Sequence, residues 1–85
     1  MQFFWTPTFK KDFKRLPESI RSILPDVLRR FAENSHYPSL RVKKMEGQED
    51  IWEMRLSGSY RLTFQFVREG VLLRRVGTHN VLRTP

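Results

Sequence analysis

The chain has no cysteine and only two histidines, His36 and His79, in 85 residues. No disulfide can brace it and no thiolate zinc site can form. With so few nitrogen and sulfur ligands, neither a structural metal nor a cofactor is expected. Long apolar runs are missing too, and nothing approaches the ~20 residues that span a bilayer as a helix. The opening Met1-Gln2-Phe3-Phe4-Trp5 lacks the basic and apolar regions of a signal peptide, so a cytoplasmic protein without a membrane partner is expected. There is no internal repeat, low-complexity tract or linker, and residues 1–85 read as one domain.

Acidic residues are also scarce. Nine Asp and Glu stand against 16 Lys and Arg, a formal charge of +7. That excess points to a polyanion, an acidic protein or an anionic surface as partner. A chain this short buries only about 60–65% of the surface its unfolded form exposes, so its core must be efficient. Seven Phe, two Trp and two Tyr supply it.

The first half has helical periodicity. Residues 2–5 read as a strand, and Thr6 or Thr8 can cap a helix that carries Phe9, Phe13 and Leu16 on one side. Lys10, Lys11, Lys14 and Arg15 give that helix a basic outer face. Pro17 ends it and can open the next. Ile20, Ile23, Leu24, Val27, Leu28 and Phe31 form a second stripe to about residue 33, with a kink or break expected at Pro25.

The second half alternates with period two. Leu40 to Met45 reads as an edge strand protected by Arg41, Lys43 and Lys44. Ile51–Leu56, Tyr60–Val67 and Val71–Gly77 follow as an antiparallel meander. The expected fold is α+β: two N-terminal helices on one face of a small, mainly antiparallel sheet of four to five strands. The C-terminal Val81–Pro85 reads as a basic tail too short for another helix.

A three-residue loop at Ser57-Gly58-Ser59 would pair Leu56 with Tyr60, Arg55 with Arg61, Met54 with Leu62 and Trp52 with Phe64. The apolar set fixes this register, because a slip of one residue would turn it into water. The other face then carries Glu53, Arg55, Arg61, Thr63 and Gln65. Two like charges directly opposite destabilise a strand pair by a few tenths to ~1 kcal/mol, so something negative is expected between Arg55 and Arg61. Glu53 is one candidate and an external anion such as phosphate is the other.

A turn at Arg68-Glu69-Gly70 would pair Phe66 with Leu72, Thr63 with Arg75 and Arg61 with Gly77. It would also put Arg74 on the apolar side, whereas a different turn would bury Arg75. Which arginine joins the basic face stays open. Gly77 beside Arg61 would leave open space for a ligand. Glu53, Arg55, Arg61 and His79 around that gap, with Lys43 and Lys44 nearby, are the parts that RNA strand cleavage needs. A base deprotonates a ribose 2′-OH, cations stabilise the phosphorane-like transition state, and an acid protonates the leaving 5′-oxygen. Histidine suits either proton-transfer role near neutral pH.

"LRVKKMEGQEDIWEMRLSGSYRLTFQFVREGVLLRRVGTHNVL" resembles the C-terminal half of the RelE/ParE toxin superfamily of prokaryotic type II toxin–antitoxin systems. The pattern is a basic segment ending in glycine ("KKMEG"), aromatic-x-x-Arg, a tight turn, "YRL", and a strand ending "VG-x-H". "FKKDFKRLP" and the following helix are similar to the family's helical hairpin.

The resemblance implies a metal-independent mRNA endonuclease, acting on the ribosome by 2′-OH attack and neutralised by a cognate antitoxin. Operator DNA would be met only through that antitoxin. By position, Arg61 matches the arginine supporting the scissile phosphate, Arg55 a cationic position of similar role, and His79 the acid or base. Glu53 falls where some members place a catalytic lysine. Lys43 and Lys44 match the basic stretch holding RNA, and Arg41 and Arg75 are counted with them. Many RelE-like members carry a tyrosine or further basic residues where Asn80 follows His79. The same fold also serves ParE-like toxins, which bind DNA gyrase and cleave no RNA. An inactive relative acting as corepressor with its antitoxin is the third reading. His79 with the Arg55/Arg61 pair favours the ribonuclease branch.

Overall fold

The computed structural model describes residues 1–85. Strand β1 (Gln2–Trp5) leads into helix α1 (Pro7–Arg15). Thr6 is the cap: its hydroxyl accepts the Phe9 N–H at 3.1 Å, and Pro7 sits in the first turn, where its missing N–H costs nothing. Leu16 turns extended and ends α1. The single-turn helix α2 (Glu18–Arg21) and helix α3 (Leu24–Glu33) follow, separated just ahead of Pro25, which is thereby placed in the first turn of α3. The break expected at Pro25 is therefore real. Arg21 Nη1 donates to the main-chain oxygens of Lys14 and Leu16 at 3.2 and 3.0 Å, filling carbonyls left open at the end of α1.

The edge strand expected over 40–45 shrinks to β2 (Lys43–Lys44). Leu40 instead closes a 3₁₀ turn, Pro38–Leu40, and is buried in the core, while Arg41 is left-handed at φ 47°. That conformation directs the chain away from the sheet for one residue, so pairing begins late. Strands β3 (Trp52–Ser57), β4 (Tyr60–Val67) and β5 (Gly70–Gly77) form the meander. A 3₁₀ turn at His79–Leu82 follows and takes in the first two residues of the expected Val81–Pro85 tail.

The five strands run in the order β1-β5-β4-β3-β2, with β1 parallel to β5 and the remaining pairs antiparallel. A parallel neighbour needs a long connection, and everything between β1 and β5 supplies it. The pairs Trp52–Phe64, Met54–Leu62 and Arg55–Arg61 form as expected. Tyr60 pairs with Ser57 rather than Leu56, so the loop is Gly58-Ser59 and a bulge takes up Leu56. Buried Leu56 joins the core there. Between β4 and β5, Thr63–Arg75 and Arg61–Gly77 form as expected, but Phe66 meets Val71. A bulge at Arg74 reconciles the two halves, because Thr63 pairs with Arg75 while Phe64 pairs with Leu73. Inserting one residue keeps both apolar sets on the helix side, which no uninterrupted register could do.

Phe31 of α3 anchors the helices to the sheet, edge-on to Phe64 at 5.2 Å and 6.1 Å from Phe66. Trp5 meets Phe9 and Phe13, each at 4.9 Å. Phe9, Phe31, Met54, Leu62, Phe64, Val71 and Leu73 are fully enclosed. Each such side chain contributes about 1.5–3 kcal/mol by burial. Phe66 is covered on one side by Phe31 and stays 48% exposed.

Candidate functional site

Cross-strand partners share a face. The register therefore lays two rows across the side of the sheet away from the core. One is Lys43, Glu53, Thr63 and Arg75; the other is Arg55, Arg61 and Gly77. This is the basic face read from the sequence, with Lys43 added at its edge. Lys44 pairs with Trp52 and so starts from the opposite face. Even so, Lys43, Lys44, Met45, Glu46 and Glu53 line one cleft of about 250 Å³ at the sheet edge.

The open question about Arg74 and Arg75 resolves for both. Arg75 takes the regular position opposite Thr63, and the bulged Arg74 also reaches this face, donating from Nη1 to Gln65 Oε1 at 2.6 Å. Neither guanidinium is free. Arg75 Nε lies 2.7 Å from Asp12 Oδ2, Nη2 lies 3.3 Å from Oδ1, and Nη1 donates to Thr84 at 2.9 and 3.1 Å. The hydrogen bond it donates to Asp12 raises Arg75 above the ordinary arginine range, and burial opposes it. Arg74 Nε donates to the main-chain oxygen of Pro85 at 3.0 Å, and the Thr63 hydroxyl donates to the same oxygen at 3.1 Å. The tail thus lies over the middle of the face.

Arg55 and Arg61 stand opposite each other, both half-buried, and neither forms an ion pair. Glu53 does not bridge them. Arg61 instead folds onto its own turn, with Nη1 donating to the Gly58 and Tyr60 carbonyls at 2.7 and 3.0 Å. Carbonyl dipoles offset part of the repulsion there, but no counter-charge does. His79 is exposed and begins the 3₁₀ turn two residues beyond Gly77, at the same end of the sheet as Arg61. Arg41 is exposed and precedes β2 by two residues.

One expectation fails. The space beside Gly77 is not open: a Cβ there would come within 2.9 Å of Val81 Cγ1. Gly77 is small so that the 3₁₀ turn can close on the sheet, and Val81 is buried in consequence. No group of three or more His, Cys, Asp or Glu side chains comes together to hold a metal ion.

Sequence reasoning missed Asp12 altogether. It accepts the Val76 N–H at 3.2 Å as well as Arg75. The available signal was its oddity, a single carboxylate among Lys10, Lys11, Lys14 and Arg15 on α1.

Fold and site define a small basic α+β domain whose sheet face away from the core carries two opposed guanidinium groups without a carboxylate partner. The chain matches the family described as "ParE toxin of type II toxin-antitoxin system, parDE" over residues 3–82, and it belongs to that family. Its fold is similar to that of the RelB–RelE antitoxin–toxin complex from Methanococcus jannaschii, at 24% identity and TM-score 0.75, covering 95% of each chain. It is similar at TM-score 0.75 and 15% identity to the YoeB/ParE toxin from Agrobacterium tumefaciens, covering 93% of this chain and 99% of that one. The intact E. coli RelBE toxin–antitoxin complex aligns at 24% identity and TM-score 0.68, covering 89% and 93%. None of the curated proteins matches the chain.

Proposed function

We propose that this toxin is a metal-independent endoribonuclease that cleaves mRNA on the ribosome. The observation that carries the reading is the Arg55–Arg61 pair: two half-buried cations opposite each other on the sheet face away from the core, with no carboxylate between them. A phosphodiester supplies the missing charge, and its nonbridging oxygens fit two guanidinium forks. In the reaction, the ribose 2′-oxygen loses its proton and bonds to the adjacent phosphorus. The bond to the 5′-oxygen breaks, and that oxygen takes up a proton. Arg55 and Arg61 stabilise the charge on the pentacoordinate phosphorus, and His79 serves as acid or base. Glu53, beside Lys43 in the first row, is a second candidate base. Lys43 and Lys44 hold the flanking strand with Arg41, while Arg75, held by Asp12, braces the face from within.

A cognate antitoxin neutralises it, consistent with the RelB-bound complexes among the similar structures. A basic toxin of charge +7 favours an acidic segment that folds as it binds. Operator DNA is contacted through that antitoxin.

The test is expression of Arg61→Ala and His79→Ala variants with mapping of message 5′ ends. The reading requires both to stop cleavage and growth arrest while remaining folded, with wild-type products ending in 2′,3′-cyclic phosphate and EDTA without effect. The family match to ParE favours a second reading, a gyrase-binding toxin without nuclease activity. Growth arrest that survives both substitutions and is accompanied by DNA damage would establish it.

A further inference from the structure

Thr63 is fully buried although it stands on the sheet face away from the core. Residues of the tail lie over it. Its hydroxyl donates to the Pro85 main-chain oxygen at 3.1 Å, and Arg74 Nε donates to the same oxygen at 3.0 Å. Arg75 Nη1 holds the preceding residue, donating to the Thr84 carbonyl at 3.1 Å and to Thr84 Oγ1 at 2.9 Å. Two donors from adjacent strands thus converge on one oxygen. Arg74 has no Asp or Glu partner, and its other bond goes to the side-chain oxygen of Gln65 at 2.6 Å. Beside this seat, at the start of α1, a cleft of about 300 Å³ is walled by Thr6, Thr8, Arg74 and Arg75 together with the tail.

The register puts this seat on the same face as the arginine pair. Thr63 and Arg61 lie two residues apart on β4 and point the same way, so their side chains start about 7 Å apart at ~3.4 Å per residue. Neighbouring phosphates of a single strand can span such a step. We propose that Thr63 and Arg74 form a second phosphate seat, next to the phosphate held by Arg55 and Arg61, and that Thr84 and Pro85 keep it closed in the free chain. The proposal rests on the ribonuclease reading and deepens it. Hydrogen bonds to an ionised oxygen are roughly twice as strong as those to a neutral one, and a phosphate presents such oxygens to both the hydroxyl and the guanidinium. The fitting ligand is a strand charged at every backbone step, because the adjacent Arg55 and Arg61 lack a carboxylate partner too. Four hydrogen bonds must break before the seat opens, so a short RNA meets the full chain with it closed.

The test measures binding of 2′-O-methyl RNA, which cannot be cleaved, as a function of salt. Removing Thr84 and Pro85 opens the seat and keeps every cation and every core side chain. The slope of log K against log salt should then steepen by about 0.7, the contribution of one phosphate contact to a single strand. Arg74→Gln should cancel that gain in the shortened chain and leave the full chain near its wild-type slope. The full-length variant carrying Thr84→Gly and Pro85→Gly loosens the tail without removing it, and it decides the matter if the shortened chain does not fold. Its slope should steepen as well, and Arg74→Gln should cancel the gain there too. An unchanged slope in the folded, opened chains overturns the proposal. So does a gain that survives Arg74→Gln, which would make the tail a mere obstruction, or a gain in affinity confined to an oligoglutamate peptide. Failure of the underlying reading looks different: an Arg74-dependent gain, with cleavable RNA left intact by both the wild-type and the shortened chain, refutes the nuclease and leaves the phosphate seat. Cleavage by the wild-type chain with no gain on opening does the reverse.

Discussion

Asp12 joins α1 to β5 twice, accepting from Arg75 Nε at 2.7 Å and from the Val76 N–H at 3.2 Å. The second contact has a topological cause. β1 pairs with β5 only from Gly70 to Leu73, so the rest of β5 would be a bare edge. Thr6 covers the next stretch, its N–H donating to the Leu73 carbonyl at 3.2 Å and its hydroxyl facing the Leu73 and Arg74 carbonyls at 3.0 and 3.2 Å. Asp12 completes the cover at Val76. A short parallel strand and one helical carboxylate together protect an edge that could otherwise pair with another chain.

Replacing Asp12 by Ala removes both contacts and leaves a partly buried guanidinium unpaired. Loss of one partner from a fully buried pair costs about 3–5 kcal/mol. The Arg75 side chain keeps 26% of its exposure, so water recovers part of that. A loss of about 2–3 kcal/mol in urea unfolding is expected for Asp12→Ala. Asp12→Asn should lose less, since an amide oxygen can still accept from Val76. Asp12→Ala combined with Arg75→Met should recover part of the loss, because no unpaired charge remains. A double variant no more stable than Asp12→Ala would show that the Val76 contact, rather than the ion pair, carries the stability.

Two glycines of β5 should respond differently to alanine. At Gly70 the new Cβ would collide with the main-chain oxygen of Gln2, and backbone cannot move aside without giving up the β1–β5 pairing. Gly70→Ala should therefore release β1, read as fast amide exchange at Phe3 and Trp5. At Gly77 the Cβ meets only the Val81 side chain, at 2.9 Å. Gly77→Ala should cost roughly 1–3 kcal/mol of overpacking, largely recovered by adding Val81→Ala. Loss of β1 in the second case, or its retention in the first, would contradict these contacts.

The meander was legible because its apolar alternation is strong: Trp52, Met54, Leu62 and Phe64 admit one register, and that register placed Arg55 against Arg61. What escaped were the departures from period two. A bulge such as that at Arg74 leaves the pattern almost intact on either side, and it showed in the sequence only as the contradiction over which arginine to bury. The parallel seat of β1 was illegible for another reason: Gln2–Trp5 has no turn to tie it to a neighbour, so its partner is set by the whole fold. The short range of β2 depends on a left-handed Arg41, a conformation nothing in its chemistry announces. Of the site, charge and facing could be read. The cover of the face by residues 83–85 could not, because it depends on hydrogen bonds from Thr63, Arg74 and Arg75 to main-chain oxygens of Thr84 and Pro85.

Acid should expose a separate contribution from α3. Asp26 forms ion pairs with Arg29 and Arg30, and the hydrogen bond from Arg29 holds its carboxyl below the ordinary aspartate range, with desolvation opposing it and the charges of Arg30 and Arg29 adding to it. A depressed folded pKa means that the stabilisation is present above the unfolded value and disappears as pH falls through the folded one. Asp26→Asn should lower Tm slightly at pH 7, and the difference should shrink progressively as the pH falls from the ordinary aspartate range through the lowered folded value. The pair is solvent-exposed, so 1 M salt should shrink the effect at neutral pH. A difference that does not shrink on acidification would assign the role of Asp26 to helix capping or packing instead of charge.

The basic face can be tested without chemistry, using 2′-O-methyl RNA that cannot be cleaved. Each phosphate contact to a single strand contributes about 0.7 to the slope of log K against log salt. Arg55→Ala and Arg61→Ala should each reduce the slope by about that amount, because the two stand opposite each other where the proposed reading seats the phosphate. Arg74→Gln is the informative comparison. It removes the same formal charge from the same face, but Arg74 is already held by Gln65 and Pro85. If placement rather than total charge governs binding, Arg74→Gln leaves the slope near the wild-type value while the other two lower it. Equal reductions in all three would mean that RNA reads only the net charge of +7. In that case the face-to-face arginines would have no special claim on the scissile phosphate.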